Sequence, residues 1–149
     1  MRYGIFLYSS SYNNITNNNA SGNSDTGIAL SSSSNNNIIT YNRITDNTNY
    51  GVYITTSSTG NRIHHNNFIN NNGGGKQGYD DVGGNFWNDI SEGNYWSDYD
   101  TPAEGCYDNN PPYGICDAPY GLNGGVGAQD NYPLTNQVGQ VTVPTAPQN

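Results

Sequence analysis

Few side chains in the first half of the sequence could carry out acid–base chemistry. Between residues 13 and 75 the charged or titratable candidates are Asp25, Asp46, Arg43, Arg62 and the pair His64-His65. Enzymes that cleave polysaccharides place paired carboxylates, or calcium with a basic residue, around the scissile bond. The acids here are isolated from one another, and Asp46 lies three residues from Arg43. We therefore predict solvated side chains, no catalytic residue and no enzymatic activity.

The pair His64-His65 could bind copper or another transition metal, because imidazole nitrogens are common ligands of such ions. Successive residues of a strand face opposite sides, so only one of the two should point outward. No third nitrogen or sulfur ligand is evident in the sequence. We therefore interpret both as ordinary surface or corner histidines, with a metal site as the alternative.

A cluster of aromatic residues follows, and its members are Trp87, Tyr95, Trp96 and Tyr99. Flat rings beside Asn and Asp side chains are typical of carbohydrate-binding sites. The same rings could instead form the core of a capping region. We favour the cap for the two tryptophans and leave the tyrosines available for a sugar.

Two cysteines, Cys106 and Cys116, lie ten residues apart in a segment rich in Gly and Pro. Two thiols alone make a poor metal site, so we predict a disulfide, with free thiols as the alternative. A disulfide indicates an oxidising, extracytoplasmic compartment.

The two histidines lie in a segment, Asn13 to Gly75, whose sequence has a 24-residue period. The aromatic cluster and the two cysteines come after this segment. A fixed period of this length is typical of a solenoid, and the short apolar bursts between polar residues favour strands over helices. The aligned columns are Asn13, Asn37 and Asn61; Ile15, Ile39 and Ile63; Asn18, Asn42 and Asn66; Ala20, Ile44 and Phe68; Asn23, Asn47 and Asn71; and Gly27, Gly51 and Gly75.

If each turn stacks on the next at about 4.8 Å, every column becomes a ladder of like residues. We predict isoleucine ladders in the interior and hydrogen-bonded asparagine ladders at the corners, where Asn tolerates a left-handed backbone. The glycine column is expected to form tight turns into the next strand. Met1 falls inside a repeat, so we expect an earlier turn or a cap to cover the strand at Gly4.

The composition excludes several classes of partner. A formal net charge of −8, with only four Lys and Arg residues, argues against nucleic acid and against an anionic membrane surface. No apolar run approaches the ~20 residues that span a bilayer, so membrane insertion is not expected. Asn14-Ile15-Thr16 and Asn19-Ala20-Ser21 are glycosylation sequons, which makes Asn14 and Asn19 candidate glycosylation sites.

We divide the chain into three parts on this basis. Residues 1–72 are predicted to form about three 24-residue turns of an all-β, right-handed parallel β-helix. Residues 73–134 are predicted to form an aromatic, loop-rich C-terminal cap that contains the disulfide, because the last turn of a solenoid must cover its apolar face. Residues 135–149 are predicted to be a tail or linker.

Several phrases of the sequence carry a family resemblance. They are His65 to Asn71, Tyr79-Asp80-Asp81, Asn85 to Asn88, Gly93 to Tyr99 and Asp130 to Leu134. With these phrases the sequence resembles archaeal right-handed parallel β-helix surface proteins, relatives of NosD-type periplasmic proteins and of carbohydrate-binding and sugar-hydrolase β-helix domains. The resemblance implies a secreted β-helix module that contacts polysaccharide or builds a cell-surface layer.

The resemblance also raises the question of a metal cofactor. Members of this group often carry an Asp-rich, calcium-loop-like run where this sequence has Tyr107 to Tyr120, and the run is lost here. Calcium requires six to eight oxygen ligands. The candidate ligands are Asp98, Asp100, Asp108, Asn110 and Asp117. We therefore expect either no cofactor or calcium, with the disulfide as an alternative means of holding the loop.

Together these observations predict a non-enzymatic, extracellular structural or adhesive protein of the cell surface. Its exposed first strands would pair with another subunit or with a neighbouring β-helix module and build a fibre or sheath end to end. The alternative is a carbohydrate-binding module or a fragment of a polysaccharide-processing β-helix enzyme.

Overall fold

The chain forms a parallel β-helix closed at one end by an aromatic cap. The computed structural model describes residues 1–139. Residues 140–149, which make up most of the predicted tail, lie outside the described residues.

The strands are short, as expected from the brief apolar bursts of the repeat. They are β1 (Tyr3–Tyr8), β2 (Asn14–Thr16), β3 (Asn19–Ser21), β4 (Thr26–Ser31), β5 (Ile38–Thr40), β6 (Arg43–Thr45), β7 (Val52–Ile54), β8 (Arg62–His64), β9 (Asn67–Ile69), β10 (Gly78–Asp80), β11 (Tyr95–Trp96), β12 (Tyr120–Gly121) and β13 (Gln129–Asp130). Two short 3₁₀ segments, Asn71–Gly74 and Pro102–Glu104, lie between them. Neither is long and apolar enough to cross a membrane, and the described residues contain no other helix.

Three parallel sheets form the walls of the coil. Their strand orders are β1-β4-β7-β10, β2-β5-β8 and β3-β6-β9-β11, whereas β12 and β13 pair as a separate antiparallel hairpin. The sheets with four strands give the coil about four turns, one more than the repeat predicts. The additional strands β10 and β11 come from the region between residues 73 and 134, so the first part of the predicted cap continues the coil.

The core is a set of apolar columns that run along the coil axis. Ile15 lies opposite Ile39, which in turn lies opposite Ile63, as the 24-residue period requires. A second column begins with Ala20 and ends at the rings of Phe68 and Trp96, whose centroids are 4.1 Å apart. The predicted interior ladders are therefore confirmed.

The corners of the coil repeat a left-handed backbone conformation. Asn17, Tyr41 and His65 occupy one corner column and have φ angles of 57°, 57° and 55°. Each lies immediately before an asparagine of the Asn18-Asn42-Asn66 ladder, so the left-handed residue is the neighbour of the ladder asparagine and not the asparagine itself. This column determines where the side chain of His65 points.

The glycine column has a different role from the predicted tight turn. Gly27 and Gly51 do not have positive φ angles. Instead, a Cβ atom on Gly27 would lie 2.7 Å from Ile44 Cγ2 and 2.8 Å from the Gly51 carbonyl oxygen. Glycine is required there because the backbone passes close to the neighbouring turn.

The asparagine ladders are hydrogen-bonded from turn to turn, as predicted. Asn18 donates from its backbone N–H and from Nδ2 to Asn42 Oδ1, at 2.9 and 3.1 Å. Asn42 donates in the same way to Asn66 Oδ1, at 3.0 Å for both atoms. Asn42 and Asn66 are fully buried, and these bonds supply the partners that buried polar groups need.

Aromatic rings and one carboxylate close the last turn. Trp96 stacks between Phe68 and Tyr120, with ring centroids 4.1 and 4.2 Å away. Below it, the fully buried Asp130 accepts hydrogen bonds from Trp96 Nε1 at 2.9 Å and from the Asn94 backbone N–H at 2.7 Å. Burial raises the pKa of Asp130 to about 6, although these hydrogen bonds act in the opposite direction.

The predicted disulfide between Cys106 and Cys116 is present, and both cysteines are buried, which excludes the free thiols of the alternative.

Residues at the start of the predicted tail return to the coil. The Val138 backbone N–H donates to Asn67 Oδ1, and Asn67 Nδ2 donates to the Val138 carbonyl oxygen, at 2.7 and 3.0 Å.

The ladders lead to a prediction about stability. Asn66→Ala removes the acceptor of two buried N–H groups of Asn42, so it should lower the free energy of unfolding by about 3 kcal/mol or more. Asn18→Ala, at the exposed end of the same column, should cost about 1 kcal/mol. Urea unfolding of both variants measures the difference, and equal losses would mean that the ladder bonds do not stabilise the coil.

Asp130 should make stability depend on pH. Because its folded-state pKa of about 6 lies above the ordinary value, the protonated form stabilises the fold, and this contribution is lost as the pH rises from about 4 to about 6. The advantage of the wild type over Asp130→Asn in free energy of unfolding should fall by about 3 kcal/mol over that range. Parallel pH profiles of the two proteins would contradict this assignment.

Candidate functional site

The two histidines lie together on one corner of the coil. His64 is the last residue of β8, and His65 follows it in the left-handed conformation, with a φ angle of 55°. This conformation breaks the alternation of a strand, so both rings lie on the same side, with the two Nδ1 atoms 2.7 Å apart. The prediction that only one of the pair could face a given site is therefore wrong.

A carboxylate from a following turn completes a group of three. Asp89 Oδ2 lies 4.0 Å from His64 Nδ1, while Asp89 Oδ1 accepts the backbone N–H groups of Ser91 and Glu92 at 2.8 and 2.9 Å. Partial burial opposes ionisation of Asp89, but these N–H donors and the nearby histidines outweigh it and lower the pKa of Asp89. The ionised oxygen is thus available beside the histidines.

Glu92 and Tyr41 orient the ring of His65. Glu92 Oε2 lies 2.7 Å from His65 Nε2, which places the N–H of the neutral imidazole on Nε2 and leaves the lone pair on Nδ1. The ring of Tyr41 stacks on His65 with a centroid separation of 5.2 Å. A carboxylate bound to the distal N–H is the usual outer partner of a metal-ligating histidine.

The environment also keeps His64 neutral. Burial, followed by the charge of the neighbouring His65, lowers the pKa of His64. A neutral imidazole is the form that binds a metal ion. We name His64, His65 and Asp89 the histidine cluster; in residues 1–139 it is the only group of three such side chains close enough to hold one ion.

The ligand types fit a transition metal. The two Nδ1 atoms are 2.7 Å apart, His64 Nδ1 and Asp89 Oδ2 are 4.0 Å apart, and the three ligand atoms lie within 4.8 Å of one another. Imidazole nitrogens suit Zn, Cu, Fe and Ni ions, and a carboxylate oxygen can complete such a site.

The predicted calcium ligands are not gathered in this way. Asp98 accepts hydrogen bonds from Gln77 and Tyr120, and Asp100 accepts one from Tyr95. Asp117 accepts the Asn110 side chain at 3.1 Å. Asp108 accepts the Gly114 backbone N–H at 2.9 Å, and its other oxygen is buried without a partner in the described residues. Calcium binding stays a prediction, with the free oxygen of Asp108 as its main support.

The four aromatic residues proposed for sugar binding lie inside the cap. Trp87 and Trp96 are fully buried, as favoured from the sequence, and their Nε1 atoms donate to Asp80 and Asp130 at 3.2 and 2.9 Å. Tyr95 and Tyr99 are buried as well, at 7% and 9% exposure. None of these four rings offers a free face, so carbohydrate binding stays a prediction without support from them.

An aromatic surface on the outer wall of the coil was not predicted from the sequence. The half-buried rings of Tyr53 and Tyr79 stack at 4.6 Å, and Tyr50 packs against both. Beside them, Arg2, Asp25 and Asn49 help to line a cleft of about 220 Å³. Their strand register, with Tyr79 opposite Tyr53, was hidden because the chain between them departs from the 24-residue period.

The candidate glycosylation sites Asn14 and Asn19 lie on β2 and β3, and both are exposed. No observation tests whether they are modified, so they stay predictions.

The fold and the site define a parallel β-helix protein with a candidate transition-metal centre at one corner. Residues 1–101 match the family described as "Periplasmic copper-binding protein (NosD)". Because the match covers more than half of the chain, the protein belongs to the NosD family. Comparisons with curated proteins and with solved structures gave no match.

The family agrees with part of the sequence-based expectation. A periplasmic family fits the predicted export from the cytoplasm, and its description names metal binding and no enzymatic activity. The archaeal origin, the link to sugar hydrolases and the cell-surface location stay predictions.

Proposed function

We propose that this protein is an exported, non-enzymatic β-helix protein that binds copper at the histidine cluster. The observation that carries this proposal is the pair of Nδ1 atoms 2.7 Å apart with Asp89 Oδ2 beside them. The description of the family as copper-binding supports the choice of copper. Copper is also favoured over the other divalent first-row metals by its general affinity order.

Each residue of the site has a separate part in this proposal. His64 and His65 would bind through Nδ1, and Asp89 would supply an anionic oxygen. Glu92 holds the proton on His65 Nε2, at 2.7 Å, so Nδ1 of His65 carries the lone pair and accepts the Nδ1–H of His64 at 2.7 Å. On binding an ion, His64 would move its proton to Nε2, and both Nδ1 atoms would then be available as ligands. When bound, copper would add a redox-active cation to a surface that otherwise offers only acid–base groups.

Copper titration tests the site. We expect the wild type to bind one equivalent of Cu(II), with His64→Gln or His65→Asn weakening the affinity by about 100-fold or more, because each removes one of two nitrogen ligands. Asparagine is chosen at position 65 since it tolerates the left-handed backbone. Glu92→Gln should cost about 10-fold to 100-fold through the loss of the outer hydrogen-bond acceptor.

The matched control is Asp46→Asn, an exposed carboxylate at another left-handed corner. It should bind copper like the wild type in calorimetry, with the same electron paramagnetic resonance spectrum. Wild-type affinity in His65→Asn would exclude the histidine cluster as the copper site.

The exposed edges of β1, β2 and β3 favour a second function, that of a structural scaffold. Each is the first strand of its sheet, so its outer backbone groups face no strand among the described residues. We call these three strands the open rung. Exposed strand edges are templates for strand addition, so the open rung is a place where a longer β-helix could continue, from a preceding turn, a neighbouring module or a second copy. Adhesion or fibre formation at a cell surface would build on this contact.

An added turn tests the scaffold function. A copy of residues 24–47 placed directly before Met1 puts one more set of strands under the open rung. The extended protein should melt at a temperature about 5 °C or more above that of the original chain, because it buries more apolar surface and pairs the free edges. The control extension has the same amino acids in scrambled order, and an equal Tm for the two extended proteins would contradict strand addition.

A further inference from the structure

Each asparagine ladder is a hydrogen-bond chain with one direction. In the column Asn18-Asn42-Asn66, every bond between turns runs from the N–H groups of the earlier asparagine to the Oδ1 atom of the later one. The column Asn13-Asn37-Asn61 and the column Asn23-Asn47-Asn71 follow the same direction. The bonds between ladder asparagines therefore all run toward the cap, and each ladder Oδ1 accepts from the side of the open rung. Nδ2 of Asn42 and of Asn66 also donates to a backbone carbonyl of the preceding turn.

At the cap, all three ladders end on a carboxylate. Asn66 donates to Asn94, whose backbone N–H donates to Asp130 at 2.7 Å. Asn61 donates to Asn85, whose Nδ2 donates to Asp80 Oδ2 at 3.1 Å.

The third ladder reaches its carboxylate through a glutamine. Asn71 Nδ2 donates to Gln77 Oε1 at 2.9 Å, and Gln77 Nε2 donates to Asp98 Oδ1 at 2.6 Å. An ionised carboxylate only accepts hydrogen bonds, so each ladder is terminated in the direction in which it runs.

At the open rung, each ladder begins with an asparagine oxygen that receives no hydrogen bond from another described residue. In the inner turns each ladder Oδ1 accepts a backbone N–H and a side-chain N–H from the preceding turn. Within the described residues, the Oδ1 atoms of Asn13, Asn18 and Asn23 accept neither. The three corners of this end are thus unpaired acceptors, placed where the coil elsewhere supplies donors.

We propose that the open rung binds a β-helix turn that carries side-chain amide donors at its three corners, as an asparagine-column turn does, and that a second copy of this chain is not the partner. The inference rests on the scaffold function proposed above and names the chemistry of its partner. The donors must be N–H groups aimed along the coil axis at the oxygens of Asn13, Asn18 and Asn23.

A second copy of the chain does not fit in either orientation. At its capped end the columns terminate at Asp80, Asp98 and Asp130, and Asp80 and Asp130 are fully buried, so that end offers no ladder amide donor to the oxygens of the open rung. Its open rung presents the same three asparagine oxygens, and turning an amide over would break its bond to the next turn. The ladder direction therefore opposes a fibre built from this chain alone.

Variants of the added turn test this chemistry. In the copy of residues 24–47 placed before Met1, the copies of Asn37, Asn42 and Asn47 lie one turn below Asn13, Asn18 and Asn23. The three copies are kept as Asn, changed together to Ala, or changed together to Asp, which has the same shape but lacks the amide donors. Thermal unfolding of the three extended proteins and of the original chain is then compared.

We expect Tm to decrease in the order Asn, Ala, Asp, with the Asn extension about 5 °C or more above the Asp extension. Sedimentation of the original chain at high concentration should show no end-to-end association. Equal stabilisation by all three extensions, or polymerisation of the original chain, would overturn the inference. If no extension changes Tm, the open rung does not accept strands, and the scaffold function fails with it.

Discussion

The bond between one side-chain amide and the next, repeated at each corner, is the interaction on which this coil depends. A chain with 32% hydrophobic residues has little apolar material to bury, and its turns expose many backbone groups to the interior. The buried asparagines solve both problems, since each one binds its own column and also reaches back to a carbonyl of the preceding turn, as Asn42 Nδ2 does to Ile15 at 2.8 Å. The sheets remain in register because a slip of one residue would break every column at once.

The same rigid corners create the candidate metal site. The left-handed residue that precedes each ladder asparagine is a place where two consecutive side chains leave the coil on one side, and His65 occupies such a place. The ladder holds the backbone after the pair, because Asn66 is anchored to Ile39 and Asn94. Pairing of β8 with β5 holds the backbone before it. A pair of ligands on a fixed backbone loses little conformational entropy when it binds an ion.

The parts of the structure that follow the 24-residue period were predictable from the sequence, because identical side chains in one column can only form a ladder. The glycine column was located correctly at Gly27 and Gly51 but not at Gly75, because Gln77 takes the position opposite Gly51. Its role was explained wrongly, since a glycine needed for close approach between turns cannot be distinguished in the sequence from a glycine needed for a turn. The histidine pair was misjudged because strand alternation was applied across a corner, although Asn17, in the same column, is of a residue type that tolerates the left-handed backbone. Asp89 and Asn94 were not predictable, since an inserted loop makes the step from Asn66 to Asn94 longer than one period.

The uniform orientation of the ladder amides gives the coil an electrical polarity along its axis. Aligned amide dipoles, negative at the oxygen and positive at the N–H groups, add in the way that peptide dipoles add in a helix. The cap is therefore the positive pole of the coil, and Asp80, Asp98 and Asp130 lie at that pole. This field favours their negative charge at the position where burial of Asp130 opposes it. Because the effect of aligned dipoles is confined to the turn at each end, buried acids suit the cap end of such a coil and not its open rung.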